Sequence, residues 1–189
     1  FFRPGDFRSG YYRDQTFMFA IGQTTAEQVF AQLYADPDPS REPFSSGRQM
    51  NCHFSTRNVN EQGEWMELAT TKNVASDMAP TAAQMPRSIG LAYASRAFRN
   101  VEQLKAFRGL SDNGNEVCFT TIGDASTSEG HFWETMNAAA VLQVPMAVFV
   151  WDDGYGMSVP KKFQTVKASI SEALEGMRKK EGTNGLNIY

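Results

Sequence analysis

An α/β fold on a parallel sheet is the architecture this sequence predicts, and three observations carry it. Residues 116–122 are β-prone and stop abruptly at Gly123-Asp124. A helical pattern follows through Phe132, Met136, Ala139, Ala140 and Gln143. Pro145 then opens a second apolar run, 146–151, which Asp152-Asp153-Gly154 ends. Strand, loop, helix and strand within about 35 residues make a βαβ unit, and such units build parallel sheets through right-handed crossovers.

The other elements are read in chain order. Residues 1–23, rich in Phe, Arg, Gly and Tyr, read as a loop followed by a short helix. Thr24-Thr25-Ala26-Glu27 has the form of a capping box, in which the Thr24 hydroxyl and Glu27 carboxylate each accept from the other's backbone N–H. Val29, Phe30, Leu33 and Tyr34 supply the apolar stripe of a helix reaching about Ala35. Residues 36–60 lack periodicity, and loops of that length are usually functional or disordered. A second helical pattern, through Ile89, Leu91 and Ala92 to Phe98, starts near Pro86 or is kinked by it. Residues 101–115 are polar and read as a surface connection. Ser126-Thr127-Ser128-Glu129 has the form of another capping box. A last helix is expected over 166–180, with Ile170, Ala173, Leu174 and Met177 facing the sheet, and 185–189 reads as the start of a strand. The length of 189 residues predicts a single domain, 1–189, with its central βαβ unit at about 116–160.

Composition narrows the function classes. A hydrophobic share of 41% with 21% charged residues excludes a disordered or fibrous chain. A net charge of −3 provides no overall footprint for nucleic acid or an anionic membrane. Cys52 and Cys118 lie far apart in sequence and read as free thiols in a reducing compartment. No apolar run approaches the roughly 18 residues of a membrane span, and residues 1–10 lack a signal-peptide core. The first residue is not Met and the last five are strand-like, so both ends are expected to be cut.

Ligands of parallel α/β sheets bind outside the carboxyl ends of the strands. Asp124 and Asp153, 29 positions apart, both fall at such ends. Neighbouring strands lie about 5 Å apart, so if these two are adjacent their carboxylates meet on one divalent cation. Mg²⁺ suits one or two carboxylates completed by phosphate and water, and the helix opening at Ser128-Glu129 turns N–H groups towards an anion. Gly-Asp or Asp-Asp-Gly alone is a common turn; the pair at this spacing is far more specific.

The segment Gly123-Asp124-Ala125-Ser126-Thr127-Ser128-Glu129-Gly130, with Asn137, Pro145 and Asp152-Asp153-Gly154-Tyr155-Gly156-Met157-Ser158, resembles the thiamine-diphosphate motif that runs from Gly-Asp-Gly to Asn-Asn. Tyr12-Arg13-Asp14, Gly47-Arg48-Gln49-Met50 with His53, and residues 79–86 with Gly90 are similar, in order, to blocks of one family: the α subunit of the decarboxylating component of 2-oxoacid dehydrogenase complexes, of branched-chain and pyruvate type. The resemblance covers roughly residues 8 to 160.

That resemblance implies a doubly wound thiamine-diphosphate-binding fold, here incomplete, that binds thiamine diphosphate and Mg²⁺. By position, Asp124, Asp153 and the Tyr155 carbonyl are the implied metal ligands. Tyr12 and Arg13 are implied to reach the cofactor, Ala79 and Thr81 to touch its aminopyrimidine through backbone groups, and Ala125 and Ser126 to offer N–H groups to its diphosphate. His53 is the implied catalytic histidine, orienting substrate, whereas His131 reads as a surface or interface residue. The implied activity is oxidative decarboxylation of a 2-oxo acid with acyl transfer to a lipoyl group. The implied partners are a β subunit, or the β half of a fused chain, in an α2β2-type assembly, and a lipoyl-bearing acyltransferase; neither nucleic acid nor membrane is implied. The carboxylate that activates the aminopyrimidine belongs to the β portion, so this chain alone is expected to be inactive. The bacterial cytoplasm is the expected compartment, with the mitochondrial matrix as the alternative.

Four positions depart from the family pattern. Ala125 replaces a glycine and is tolerable where φ is not positive and no close approach is needed. Asp152-Asp153 replaces Asn-Asn and adds negative charge beside a diphosphate. Trp151 stands where the branched-chain type often has an arginine. These departures motivate a second hypothesis, a non-catalytic structural or regulatory family member; an acetoin-cleaving thiamine enzyme is a third.

Overall fold

The computed structural model describes residues 1–189. Four parallel strands, β1 (Phe7–Ser9), β2 (Asn73–Val74), β3 (Cys118–Gly123) and β4 (Met146–Trp151), form the main sheet in the order β2-β1-β3-β4. The helices are α1 (Gln15–Ala20), α2 (Ala26–Leu33), α3 (Gln84–Asn100), α4 (Gly130–Leu142) and α5 (Ile170–Ala173), and a hairpin of β5 (Tyr155–Gly156) and β6 (Val159–Pro160) follows β4. The central βαβ unit forms as the sequence predicts. β3 and β4 are direct neighbours, in register from Cys118 opposite Met146 to Gly123 opposite Trp151.

The two faces of the sheet are covered differently. Ile122 packs with Met85 of α3, Phe132 and Met136 of α4, and Ile170 and Leu174 in the larger core. A smaller core on Met18, Ile21, Cys52, Phe54 and Val74 gathers α1, the long loop and β2. Phe119 stacks on Phe149 with ring centroids 6.2 Å apart, yet Phe149 and Trp151 stay exposed. No helix is long and apolar enough to cross a membrane.

Several local expectations are corrected. β1 and β2 are too short to show a period-2 pattern and went unpredicted. The first capping box sits one residue later: Thr25 is extended, its hydroxyl accepts from Gln28 N–H at 3.3 Å, and the Gln28 side chain accepts from Thr25 N–H. α3, by contrast, starts near Pro86 as expected: it begins at Gln84, and Pro86 occupies its first turn, where no intrahelical donor is needed. The expected box at 126–129 does not form. Residues Ala125–Ser128 make a 3-10 turn and Glu129 is extended, so α4 begins at Gly130 without a side-chain cap. The expected helix 166–180 breaks into short turns, because Lys167 and Ala168 take left-handed conformations and Ser169 starts a new four-residue helix. Its Ile170 and Leu174 are nevertheless buried in the larger core. At the chain's end Leu186 makes an isolated parallel bridge to Arg178 and joins no sheet strand.

The loop after α2 is ordered by a buried anion. Glu42 is fully enclosed and accepts from the backbone N–H groups of Phe44, Ser45 and Gly47 and from the Ser45 hydroxyl. Burial pushes its carboxyl up, but the Gly47, Ser45 and Phe44 donors outweigh burial and hold it below the usual glutamate range. Gly47 has φ +76°, and a Cβ there would lie 2.5 Å from the Ala35 carbonyl oxygen. Gly47→Ala is therefore expected to lower the unfolding free energy by more than about 1 kcal/mol, read as a lower denaturation midpoint; an unchanged midpoint would contradict the reading.

Candidate functional site

The carboxyl ends of β1, β3 and β4 converge, and each releases a turn that carries candidate residues. After β1 come Gly10, Tyr11, Tyr12 and Arg13, held from below by a buried charge network. Arg8 donates to Asp14 through Nε at 2.9 Å and Nη2 at 2.7 Å, to Asp77 at 2.9 Å and to the Tyr11 carbonyl at 3.0 Å. Asp14 also accepts from the Thr121 hydroxyl on β3 and from Trp151 Nε1 on β4 at 3.1 Å. One carboxylate thus ties together the ends of three strands. Gly10 has no room for a side chain, because a Cβ would collide with Asp14 and Arg8.

Trp151, in place of the family's arginine, is a strut for the β1 turn. Its ring nitrogen is committed to Asp14. Tyr12 and Arg13 project outwards, with the guanidinium 5.3 Å above the Tyr12 ring.

At the end of β3, Asp124 has helical backbone angles and its N–H donates to the Trp151 carbonyl at 3.2 Å, locking two strand ends together. The Thr127 hydroxyl donates back to the Asp124 carbonyl at 2.6 Å. The Asp124 side chain is 3% exposed, and its Oδ2 has no hydrogen-bond partner. Burial is the first cause pushing this carboxyl up, and the charges of Asp152 and Asp153 add to it against the relief of the Ala125 N–H. A buried carboxylate oxygen with no donor, beside two more carboxylates, is unfavourable until a cation arrives. Ala125 is not among the positive-φ residues, so the methyl in place of glycine is accommodated. Gly156 packs closely on that methyl, since a Cβ there would come 2.6 Å from Cβ of Ala125.

After β4, Asp152 pairs with Lys161 at 2.6 Å and accepts from Gly154 N–H. Asp153 uses one oxygen to accept from Tyr155 N–H at 3.0 Å, and both Asp153 and Tyr155 are exposed. Lys161 also donates its backbone N–H to the Gly154 carbonyl, closing the hairpin over its own salt bridge. One of the two added charges in Asp152-Asp153 is therefore neutralised within the chain, a compensation that the sequence reading missed.

No group of three or more His, Cys, Asp or Glu side chains surrounds one point. Asp124, with its orphaned oxygen, and Asp153, with one oxygen uncommitted, fit a cation that takes most of its ligands from carbonyl, water and phosphate, as Mg²⁺ does.

Ala79 and Thr81 lie exposed in the turn that leads into α3. That turn is drawn to the same strand ends, since Gln84 Nε2 donates to the Thr121 carbonyl and Ser9 Oγ donates to the Gln84 carbonyl, both at 3.0 Å. His53 is placed apart. It is 4% exposed, its Nδ1 lies 3.2 Å from the Asn51 carbonyl, and its own carbonyl accepts from Gln32, so its ring makes no hydrogen bond to any other candidate. Its link is indirect: Phe54 N–H donates to Asp77, the second carboxylate on Arg8. His131 lies exposed on α4, beside a cavity of about 180 Å³ lined also by Pro86 and Ile89. A cavity of about 410 Å³ lined by Thr70, Arg108 and Ser111 flanks the segments that enter β2 and β3, at the opposite ends of the strands. Cys52 and Cys118 are free and buried, and burial pushes the Cys118 thiol up to about 12.

Comparison with known proteins gives a matching family and several relatives. Residues 2–178 match the family model described as "Dehydrogenase E1 component". The chain is 26% identical over 174 residues to the 2-oxoisovalerate dehydrogenase subunit alpha of Bacillus subtilis (strain 168), covering 92% of this chain and 43% of that protein. It is 29% identical over 161 residues to the mitochondrial 2-oxoisovalerate dehydrogenase subunit alpha of Caenorhabditis elegans, covering 85% of this chain and 30% of the relative. The corresponding mitochondrial subunit of Bos taurus is 27% identical over 138 residues, or 73% of this chain and 24% of the relative. The chain thus spans less than half the length of these curated relatives.

Proposed function

The chain belongs to the dehydrogenase E1 component family, and from that premise we propose that it forms the cofactor-binding α portion of a 2-oxoacid dehydrogenase, acting on a branched-chain 2-oxo acid. The observation that carries the reading is the buried Asp124 carboxylate, whose Oδ2 lacks any donor and faces the charges of the β4 turn. Asp124, Asp153 and the Tyr155 carbonyl would hold Mg²⁺, which would supply positive charge to offset a bound diphosphate. Arg13, free of any carboxylate partner, offers its guanidinium to that diphosphate from the β1 turn. Ser126 offers its backbone N–H from the other side, the Ala125 N–H being turned to the Asp124 carboxylate, while Tyr12, Ala79 and Thr81 line the approach of the aminopyrimidine. His53 orients substrate only through a movement of the 42–54 loop. When bound, thiamine diphosphate supplies the electron sink for decarboxylation. This chain's residues fix its position and offset its charge. A β portion supplies the remaining half of the site, in an α2β2-type assembly that passes the acyl group to a lipoyl-bearing acyltransferase.

The test is CO₂ release from 2-oxoisovalerate and pyruvate by the full-length protein assembled with its β portion. Cofactor-dependent release from 2-oxoisovalerate is the expected result. Cleavage of acetoin with no release from either 2-oxo acid would reassign the substrate. Cofactor binding without any turnover would favour the non-catalytic family member.

A second expectation concerns charge. Asp153→Asn keeps an oxygen ligand and removes one negative charge beside the diphosphate, so cofactor affinity is expected to hold or rise. A tenfold loss, about 1.4 kcal/mol, would show that the carboxylate charge itself is required.

A further inference from the structure

A second orphaned polar atom lies on the other side of Gly123. Tyr11 is 7% exposed, and its hydroxyl is sealed from solvent beside the Arg13 guanidinium, with no acceptor for its hydrogen. Its position is fixed. The ring packs edge-on against Tyr12 with centroids 5.1 Å apart, its backbone carbonyl accepts from Arg8, and its hydroxyl lies 3.2 Å from the place where a Cβ on Gly123 would stand. A buried hydroxyl without an acceptor costs stability, and a phenylalanine would fill the same space without that cost. Gly123 is the residue before Asp124, so an orphaned donor and an orphaned acceptor flank one strand end. A cation satisfies only the acceptor. A phosphate bound with that cation would satisfy the donor as well, by accepting the phenolic hydrogen, while the cation offsets the carboxylate.

We propose that Tyr11 is a further binding residue of this site, donating its hydroxyl hydrogen to a phosphate oxygen of the metal-bound ligand. The assignment rests on the cofactor reading above and adds to it a residue that the motif does not contain. Burial, the first cause, and Asp14 push the phenol up to about 12 against the opposing pull of Arg13, so it remains a protonated donor at neutral pH. Arg13, exposed and stacked over Tyr12, exerts the strongest charge effect on the hydroxyl. Drawing that guanidinium onto a diphosphate uncovers the hydroxyl for the same ligand.

The experiment compares wild type and Tyr11→Phe, each as the full-length protein with its β portion, in calorimetric titrations with Mg-thiamine diphosphate and with Mg-pyrophosphate, alongside melting curves without ligand. The expected result has two parts. The variant melts at or above the wild-type temperature, and its affinity for both diphosphates falls by about tenfold, the loss typical of a hydrogen bond to a charged group. A variant that binds both as tightly as wild type overturns the role of Tyr11 while leaving the cofactor reading in place. Wild type that fails to bind either ligand overturns the cofactor reading itself. Gly123→Ala guards against an indirect packing effect. Its methyl crowds the Tyr11 hydroxyl, so it should weaken binding in wild type and much less in the Tyr11→Phe background. Equal losses in both backgrounds would also count against the proposal.

Discussion

Asp124→Ala is expected to abolish measurable binding of Mg-thiamine diphosphate while leaving the cofactor-free protein as stable as wild type or more so. The two effects have one cause. The carboxylate is buried, one of its oxygens has no donor, and Asp152 and Asp153 repel it. Without a cation such a group is a cost, and its removal relieves that cost. With a cation it is the most enclosed of the proposed protein ligands. Loss of groups that merely support a ligand reduces metal affinity by about 10–100-fold, so loss of the ligand itself should exceed about 100-fold. Asp124→Asn retains an oxygen and should fall between. Calorimetric titration with parallel melting curves reads both quantities. A variant that binds normally, or one that unfolds, would assign Asp124 to the fold and not to a cation.

Arg8→Met is expected to have the largest effect on stability. The Arg8 side chain is completely buried, bridges Asp14 and Asp77, and lies with its guanidinium carbon 5.8 Å from the Phe54 ring centroid. Methionine fills the space and leaves two carboxylates without their cation. Breaking a buried pair in this way costs about 3–5 kcal/mol, a large part of the roughly 5–15 kcal/mol that holds an ordinary domain together. Chemical denaturation measures the loss. The triple variant Arg8→Met, Asp14→Asn, Asp77→Asn should recover part of it, since the remaining buried groups are then neutral. A single variant within about 1 kcal/mol of wild type, well below the cost of breaking such a pair, would show that water already screens the network. The consequence for function follows from Asp14, which fixes the turn carrying Tyr12 and Arg13 to β3 and β4.

These two residues mark the boundary of what the sequence made legible. Asp124 was readable because strand, loop, helix and strand each have a period or a breaker that shows in one dimension, and because Gly123-Asp124 and Asp152-Asp153 end the two strands. Arg8 was not. β1 has three residues, too few for alternation to register, and an arginine in a Phe, Arg and Gly-rich stretch reads as solvated. Only pairing with β2 and β3 buries it, and its partners Asp14 and Asp77 are 6 and 69 positions away. The helix expected over 166–180 failed for a related reason. Its apolar spacing was real and Ile170 and Leu174 do reach the core, but left-handed Lys167 and Ala168 carry no sequence signal of the kind glycine provides. Lys161 pairs with Asp152 across nine positions, a separation that only the hairpin closes. Resemblance puts His53 near the active site, and its ring is buried with Nδ1 3.2 Å from the Asn51 carbonyl.

The central claim is that the ends of β1, β3 and β4 form a Mg-diphosphate site, and calorimetric titration of thiamine diphosphate into the full-length protein with its β portion, with and without Mg²⁺, tests it most directly. Saturable binding that requires Mg²⁺ is the result predicted. No binding at millimolar cofactor with Mg²⁺ present, or equal binding after the metal is chelated, would contradict it.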